Sequence, residues 1–257
     1  MRNKAIVVSF CAVLVACGVY FVGRQPAPSA LASLDHEAQT VFPVYASTSG
    51  MDSASGTGGR VLRTIYRTGT AVCVAPHIIA TSGYLLPEEM CATGNQRTLV
   101  VDYNNLIIGQ PSKKFTVEDA DRFGPLALVR IRETCAPAAL QTAPVSLRQE
   151  LLMTSVEFRT RARKTFLPLA DLRRSETVVT RVVDPADDLL YGDVPAHERA
   201  SEFRVMSVPY EGHFGTALWD RSGRLVGLKH YMYGDSTCAA IPAAAIESAV
   251  RAFSTGN

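Results

Sequence analysis

From residue 41 onward, short apolar runs alternate with polar turns. "VFPVYA" (41–46) reads as a first strand and "STSGMDSASGTGG" (47–59) as a Ser/Gly loop. "RVLRTIYRTGTAVCVAP" (60–76) alternates, turns at Pro76-His77, and returns through "IIAT" (78–81). "TLVVDY" (98–103), "NLIIGQ" (105–110) and "PLALVRIR" (125–132) complete a first set of strands. A Pro/Ala-rich connector (136–145) then intervenes. Strands resume at "LLMTSVEFRTRARKTF", "TVVTRVV", "EFRVMSV", "TALWD" and "RLVGLKHYM". Many short strands with regular turn signals predict an all-β barrel or sandwich, and the connector divides them into two sets of about six. One helix is expected, "IPAAAIESAVRAF" (241–253). Pro242 stands near its start, where a missing N–H is harmless, and Ile246, Val250 and Phe253 share a face.

The N-terminus has a different pattern. Arg2 and Lys4 precede the uncharged run "AIVVSFCAVLVACGVYFVG" (5–23), and Arg24 and "QPAPSALAS" come after it. That run approaches the roughly 20 residues that span a bilayer, and the preceding positive charges favour export of the C-terminal remainder of the chain. Three readings stand: an uncleaved anchor; a signal peptide cleaved near Ala30-Leu31-Ala32; and a lipoprotein lipidated at Cys17 in "LVAC". The division expected is therefore an anchor or signal segment at 1–24, a linker at 25–40 and a folded domain at 41–257. Within that domain, barrel one covers about 41–135, barrel two about 145–240, and the helix 241–253.

Composition narrows the function. Of the 257 residues, 47% are apolar and 19% charged, enough apolar surface for a core and too little charge for a disordered chain. A net charge of +2, with no basic run interleaved with aromatics, gives no sign of nucleic-acid binding. No Cys-x-x-Cys or His-x-x-x-His supplies metal-ligand spacing, so no cofactor is expected. Cys73, Cys91, Cys135 and Cys238 are an even set, which in an oxidising compartment points to two disulfides among three possible connectivities. Arg159, Arg161 and Arg163 share one face of a strand; they suit either a solvated outer face or an acidic partner.

Four stretches, in order, resemble the trypsin-like serine peptidases, particularly their bacterial exported members. "GTAVCVAPHIIATSGYLL" (69–86) is similar to the segment ending in Thr-Ala-Ala-His, and "PLALVRI" (125–131) to the Asp-x-Ala-Leu-Leu-x-Leu strand. "EGHFGTALWDRSGRLVGL" (211–228) is similar to Gly-Asp-Ser-Gly-Gly-Pro-Leu and its hairpin. "CAAIPAAAIESAV" (238–250) is similar to the last strand and terminal helix. The resemblance implies two six-stranded antiparallel Greek-key barrels with a cleft between them.

Carried over by position, the resemblance puts Tyr84 in the histidine's place, Pro125 in the aspartate's and Phe214 in the nucleophile's. A phenol with a reference pKa near 10 is a poor base, and the other two side chains have no proton chemistry. The implication is a catalytically dead member. Gly212 and Gly215 match the glycines of the oxyanion turn; His230, Tyr231 and Met232 fall on the substrate strand, where Met232 either crowds the pocket or fills core space. For the disulfides, the resemblance implies Cys73 with Cys91 and, for the remainder, Cys135 with Cys238. His77, His213, Asp119, Asp121 and Ser82 lie near these positions and read as loop residues.

Three functions are carried forward. The favoured one is a protein- or peptide-binding scaffold on the bacterial inner membrane, single-pass through residues 5–23, with its domain in the periplasm. The others are a divergent hydrolase with another catalytic set, and a structural subunit of a secretion or pilus machine.

Overall fold

In a computed structural model of the chain, the strands sort by sequence into two sheets. The structure describes residues 39–53, 60–86, 96–103, 113–159, 169–183, 202–206, 214–232 and 236–255. Residues 5–23 with Cys17, together with Cys91, "NLIIGQ", Arg161, Arg163, Gly212 and His213, lie outside them. Among the described residues no helix is long and apolar enough to cross a membrane.

The first sheet contains β1 (Val41–Ser53), β2 (Arg60–Ala75), β3 (Ile78–Ser82), β4 (Gln96–Tyr103), β5 (Lys113–Lys114), β6 (Val117–Phe123) and β7 (Leu126–Ile131). Their spatial order is β5-β4-β1-β2-β3-β7-β6. The edge strands β5 and β6 are separated in sequence only by Phe115 and Thr116, so the sheet must curl until its edges meet. The second set is β8 (Glu150–Arg159), β9 (Leu169–Val183), β10 (Glu202–Met206), β11 (Ala217–Trp219), β12 (Leu225–Met232) and β13 (Thr237–Pro242). It closes as a six-stranded antiparallel barrel in the order β10-β13-β12-β11-β8-β9. The helix α1 (Ala243–Thr255) comes last. This is the trypsin-like two-barrel architecture.

Continuous apolar runs, rather than strict alternation, have a simple cause here: several strands are buried on both faces. In β7, Leu126 and Leu128 join a central cluster, while Val129 and Ile131 point into the first sheet's own interior. In β2, Val72 and Val74 face the centre, whereas Ala71 and Cys73 face inward. The same split occurs in β11, where Ala217 and Trp219 face the centre and Leu218 the second barrel's interior. The central cluster thus draws on both sheets and on Ile246 and Phe253 of α1. Trp219 satisfies its indole N–H on Thr154 Oγ1 at 3.1 Å. Arg130 ties α1 back to the first sheet: its guanidinium donates to the Phe253 carbonyl at 2.8 Å and lies 4.8 Å over that ring.

Two strand expectations are corrected. β1 runs on to Ser53, into the Ser/Gly stretch, because pairing to β2 along its whole length, and to β4 as far as Ser49, holds its backbone whatever the side chains are. β6, "VEDADRF", has no counterpart among the expected strands; its outer face is polar and only its backbone pairing with β7 marks it as strand.

The disulfide pairing is also corrected. Cys73 is bonded to Cys135, with Cα atoms 6.1 Å apart, rather than to Cys91. The reason is the route of the chain after β7, which brings the Cys135 amide to the Pro76 carbonyl at 2.8 Å, beside the β2–β3 turn. Cys238 is a buried free thiol and so is not linked to Cys135. Closing a loop 62 residues long should stabilise the fold. Cys73→Ser is expected to cost about 2–4 kcal/mol, read from urea midpoints. Non-reducing peptide mapping should return the Cys73–Cys135 pair.

Candidate functional site

The cleft begins with a backbone junction. The Phe214 carbonyl accepts the Thr70 amide of β2 at 2.7 Å. The next residue, Gly215, donates its amide to the Lys229 carbonyl of β12, also at 2.7 Å. Thr70 is fixed in turn: its carbonyl accepts Thr81 Oγ1 at 2.6 Å, and its own hydroxyl accepts the Val156 amide of β8 at 2.9 Å. One short turn therefore pins both sheets together. Gly215 has φ +78°, and a Cβ there would stand 1.8 Å from the Thr70 carbonyl oxygen. The close approach that makes the junction requires glycine.

Tyr84 and Phe214, far apart in sequence, meet at this junction. Their rings stack with centroids 4.1 Å apart and an interplanar angle of 22°. The Arg67 guanidinium lies 4.3 Å over the Tyr84 ring, and Arg67 also donates to the Tyr84 carbonyl. Two groups at that height cannot share one ring face, so Arg67 and Phe214 cover opposite faces of Tyr84. The residue is nonetheless 47% exposed, which leaves its edge and hydroxyl to solvent. Phe214 is half-buried and packs against the first sheet's interior cluster. Nothing in the sequence singles out Arg67; only the register of β2 brings it over the ring.

Pro125 sits in the β6–β7 turn, where its carbonyl accepts the Gly83 amide at 2.7 Å. Ser82 is wholly buried; its hydroxyl accepts the Tyr84 amide at 3.2 Å and donates to the His230 carbonyl at 3.3 Å. The His230 ring lies 3.4 Å from Glu202 Oε2 of β10, with both side chains largely buried. Tyr231 is exposed, and Met232 packs on the second barrel's interior cluster.

The other candidates do not converge on this place. His77 Nδ1 lies 3.1 Å from the Glu133 carbonyl at the far turn. Asp119 and Asp121 each accept the amide of their own following residue.

Lys229 is a residue that sequence reasoning missed, although a lysine inside the run "LVGLKHYM" is a visible irregularity. It is 1% exposed, inside the second barrel. Burial pulls its pKa down, against an opposing hydrogen bond and charge interaction with Cys238.

No protein-family model matches the sequence, and no curated protein matches it by sequence. Solved structures match by shape. The Rv3671c protease of M. tuberculosis in its active form aligns with TM-score 0.56 and 12% identity, over 87% of this chain and 85% of that one. Deg5 aligns with TM-score 0.57 and 14% identity, over 89% and 93%. The HtrA-type protease AlgW, solved with a tripeptide, aligns with TM-score 0.58 and 12% identity, over 86% of this chain and 62% of that one. The fold neighbours are thus trypsin-like serine proteases of the HtrA and Deg type, and at such identities the likeness defines the fold.

This geometry carries three expected outcomes. A double-mutant cycle on Tyr84→Ala and Phe214→Ala should give a coupling of about 0.5–1.5 kcal/mol, as for other stacked aromatic pairs. Gly215→Ala should destabilise by several kcal/mol through the clash with Thr70. Gly124→Ala, at φ +58° with nothing near its Cβ, should cost only about 1 kcal/mol. Lys229 sets a pH dependence. Its native pKa is lowered, so the unfolded chain binds more protons between that value and about 10.4, and stability must rise with pH across this window. Lys229→Met should abolish that slope in urea melts run from neutral to alkaline pH.

Proposed function

We propose that this chain is a non-catalytic trypsin-like domain that binds an extended segment of a protein partner, held at the bacterial inner membrane by residues 5–23 and facing the periplasm. The observation that carries the reading is the Tyr84–Phe214 stack. Serine-peptidase chemistry needs a nucleophile, a base and an orienting carboxylate in hydrogen-bond contact at this junction. Two stacked rings occupy it instead, and the third position contributes only a backbone carbonyl, from Pro125. The hydroxyls of Ser82, Thr70 and Thr81 near the junction are buried and engage backbone groups.

Binding remains open to such a domain. Tyr84 is exposed at the junction, and Tyr231 is exposed in β12, one residue beyond the His230 carbonyl that Ser82 binds. An extended segment can dock across this end of the cleft, with Tyr84 and Tyr231 as aromatic contacts.

The purified protein should hydrolyse neither peptide nor ester substrates and should not be labelled by a fluorophosphonate. Phe214→Ser should not restore activity, since the new hydroxyl has neither base nor carboxylate. It should lower stability by about 1–3 kcal/mol, less than a fully buried ring would. Covalent labelling of the unaltered protein would sink the non-catalytic reading. For topology, protease added to spheroplasts should digest the domain without breaching the inner membrane.

A further inference from the structure

The second barrel holds a lysine and a cysteine that the cleft does not use. Lys229 in β12 is 1% exposed and Cys238 in β13 is 0% exposed. The two strands are paired, with Lys229 opposite Ala240, so that Cys238, two residues from Ala240, is its diagonal neighbour. The diagonal register puts both side chains on the same face of the barrel wall, near enough for Cys238 to influence the Lys229 amine. Cys238 lies among Leu151, Phe203, Val205 and Val226 in the interior cluster, shielded from bulk thiols and from the Cys73–Cys135 disulfide on the other sheet.

We propose that Lys229 and Cys238 are a covalent modification site, joined by an N–O–S bridge when the folded protein meets dioxygen. The site has what the bond requires: a nitrogen and a sulfur buried as diagonal neighbours on paired strands, and a packed apolar surround that admits a small apolar oxidant while excluding larger ones. Burial also favours the neutral amine, whose lone pair the new N–O bond needs. In the balanced step, the S–H bond and one N–H bond break, and S–O and O–N bonds form. One oxygen atom of dioxygen becomes the bridge, and the other leaves as water with the two hydrogens. Sulfur and nitrogen each give up two electrons, and dioxygen takes all four. Two dithiols, each oxidised to a disulfide, return those four electrons with four protons; the bridging oxygen leaves as water, and thiol and amine are regenerated. The bridge would staple β12 to β13 beneath the strand end that carries His230 and Tyr231. The proposal stands independently of whether the cleft binds peptide.

The test is intact mass and peptide mapping of the full-length chain, purified in air and, in parallel, under anaerobic conditions with dithiothreitol. The air-equilibrated protein should be heavier by one oxygen atom less two hydrogens than its disulfide-bonded anaerobic form, once reoxidation of Cys73–Cys135 is accounted for. Digestion should yield one cross-linked peptide containing Lys229 and Cys238. Denatured without reductant, Cys238 should resist iodoacetamide, and dithiothreitol should release it. Lys229→Met should leave Cys238 open to alkylation, and Cys238→Ser should abolish the mass gain. Full alkylation of Cys238 in air-equilibrated wild-type protein would overturn the proposal. So would oxygen on sulfur alone, or Cys238 in a disulfide. These readings come from the unmutated chain and do not depend on either variant folding.

Discussion

The peptide unit joining Phe214 to Gly215 is the constraint on which the cleft depends. Its carbonyl is held by Thr70 of the first sheet, and the amide of Gly215 is held by Lys229 of the second. Buried backbone groups must be paired, so this turn cannot move without breaking bonds to both halves. The geometry leaves no room for a side chain at Gly215. Residue 214 is accordingly presented at a fixed place and angle. What its side chain does there is a separate matter, and in this chain the side chain stacks on Tyr84.

That separation explains what was legible in the sequence. Strands of the central cluster were readable because both faces are buried and their composition is apolar throughout, as in "PLALVRI" and "TAVCVA". The turn "GHFG" was readable through its glycine, which the close approach of Thr70 demands. The extension of β1 and the whole of β6 were not, because backbone pairing rather than side-chain burial holds them in the sheet. The disulfide was misassigned because sequence proximity favoured Cys91, whereas the fold returns Cys135 to the β2–β3 turn. Arg67 was invisible for a similar reason: an arginine in a polar stretch gives no hint that the curl of a sheet will lay it over a tyrosine ring.

The cleft and the second barrel distribute polar groups differently. At the cleft, Ser82, His230 and Glu202 engage one another or the backbone, linking β3, β10 and β12 through short polar contacts. Inside the barrel, Lys229 is an ionisable group beside an apolar cluster, where burial disfavours its charged form and Cys238 partly opposes that effect. The first arrangement ties three strands together at the cleft through short polar contacts. The second places a nitrogen and a sulfur where solvent does not reach.

Native-state hydrogen exchange tests most directly whether the turn at Phe214-Gly215 is the rigid join between the two halves. The amides of Thr70, Gly215 and Lys229 should exchange only through global unfolding, with protection equal to that of core amides such as Val129 and Leu218 and the same dependence on denaturant. Exchange of Thr70 and Gly215 through a local opening, insensitive to denaturant and well below the global free energy, would contradict the account. The cleft would then be a hinge between independently stable barrels.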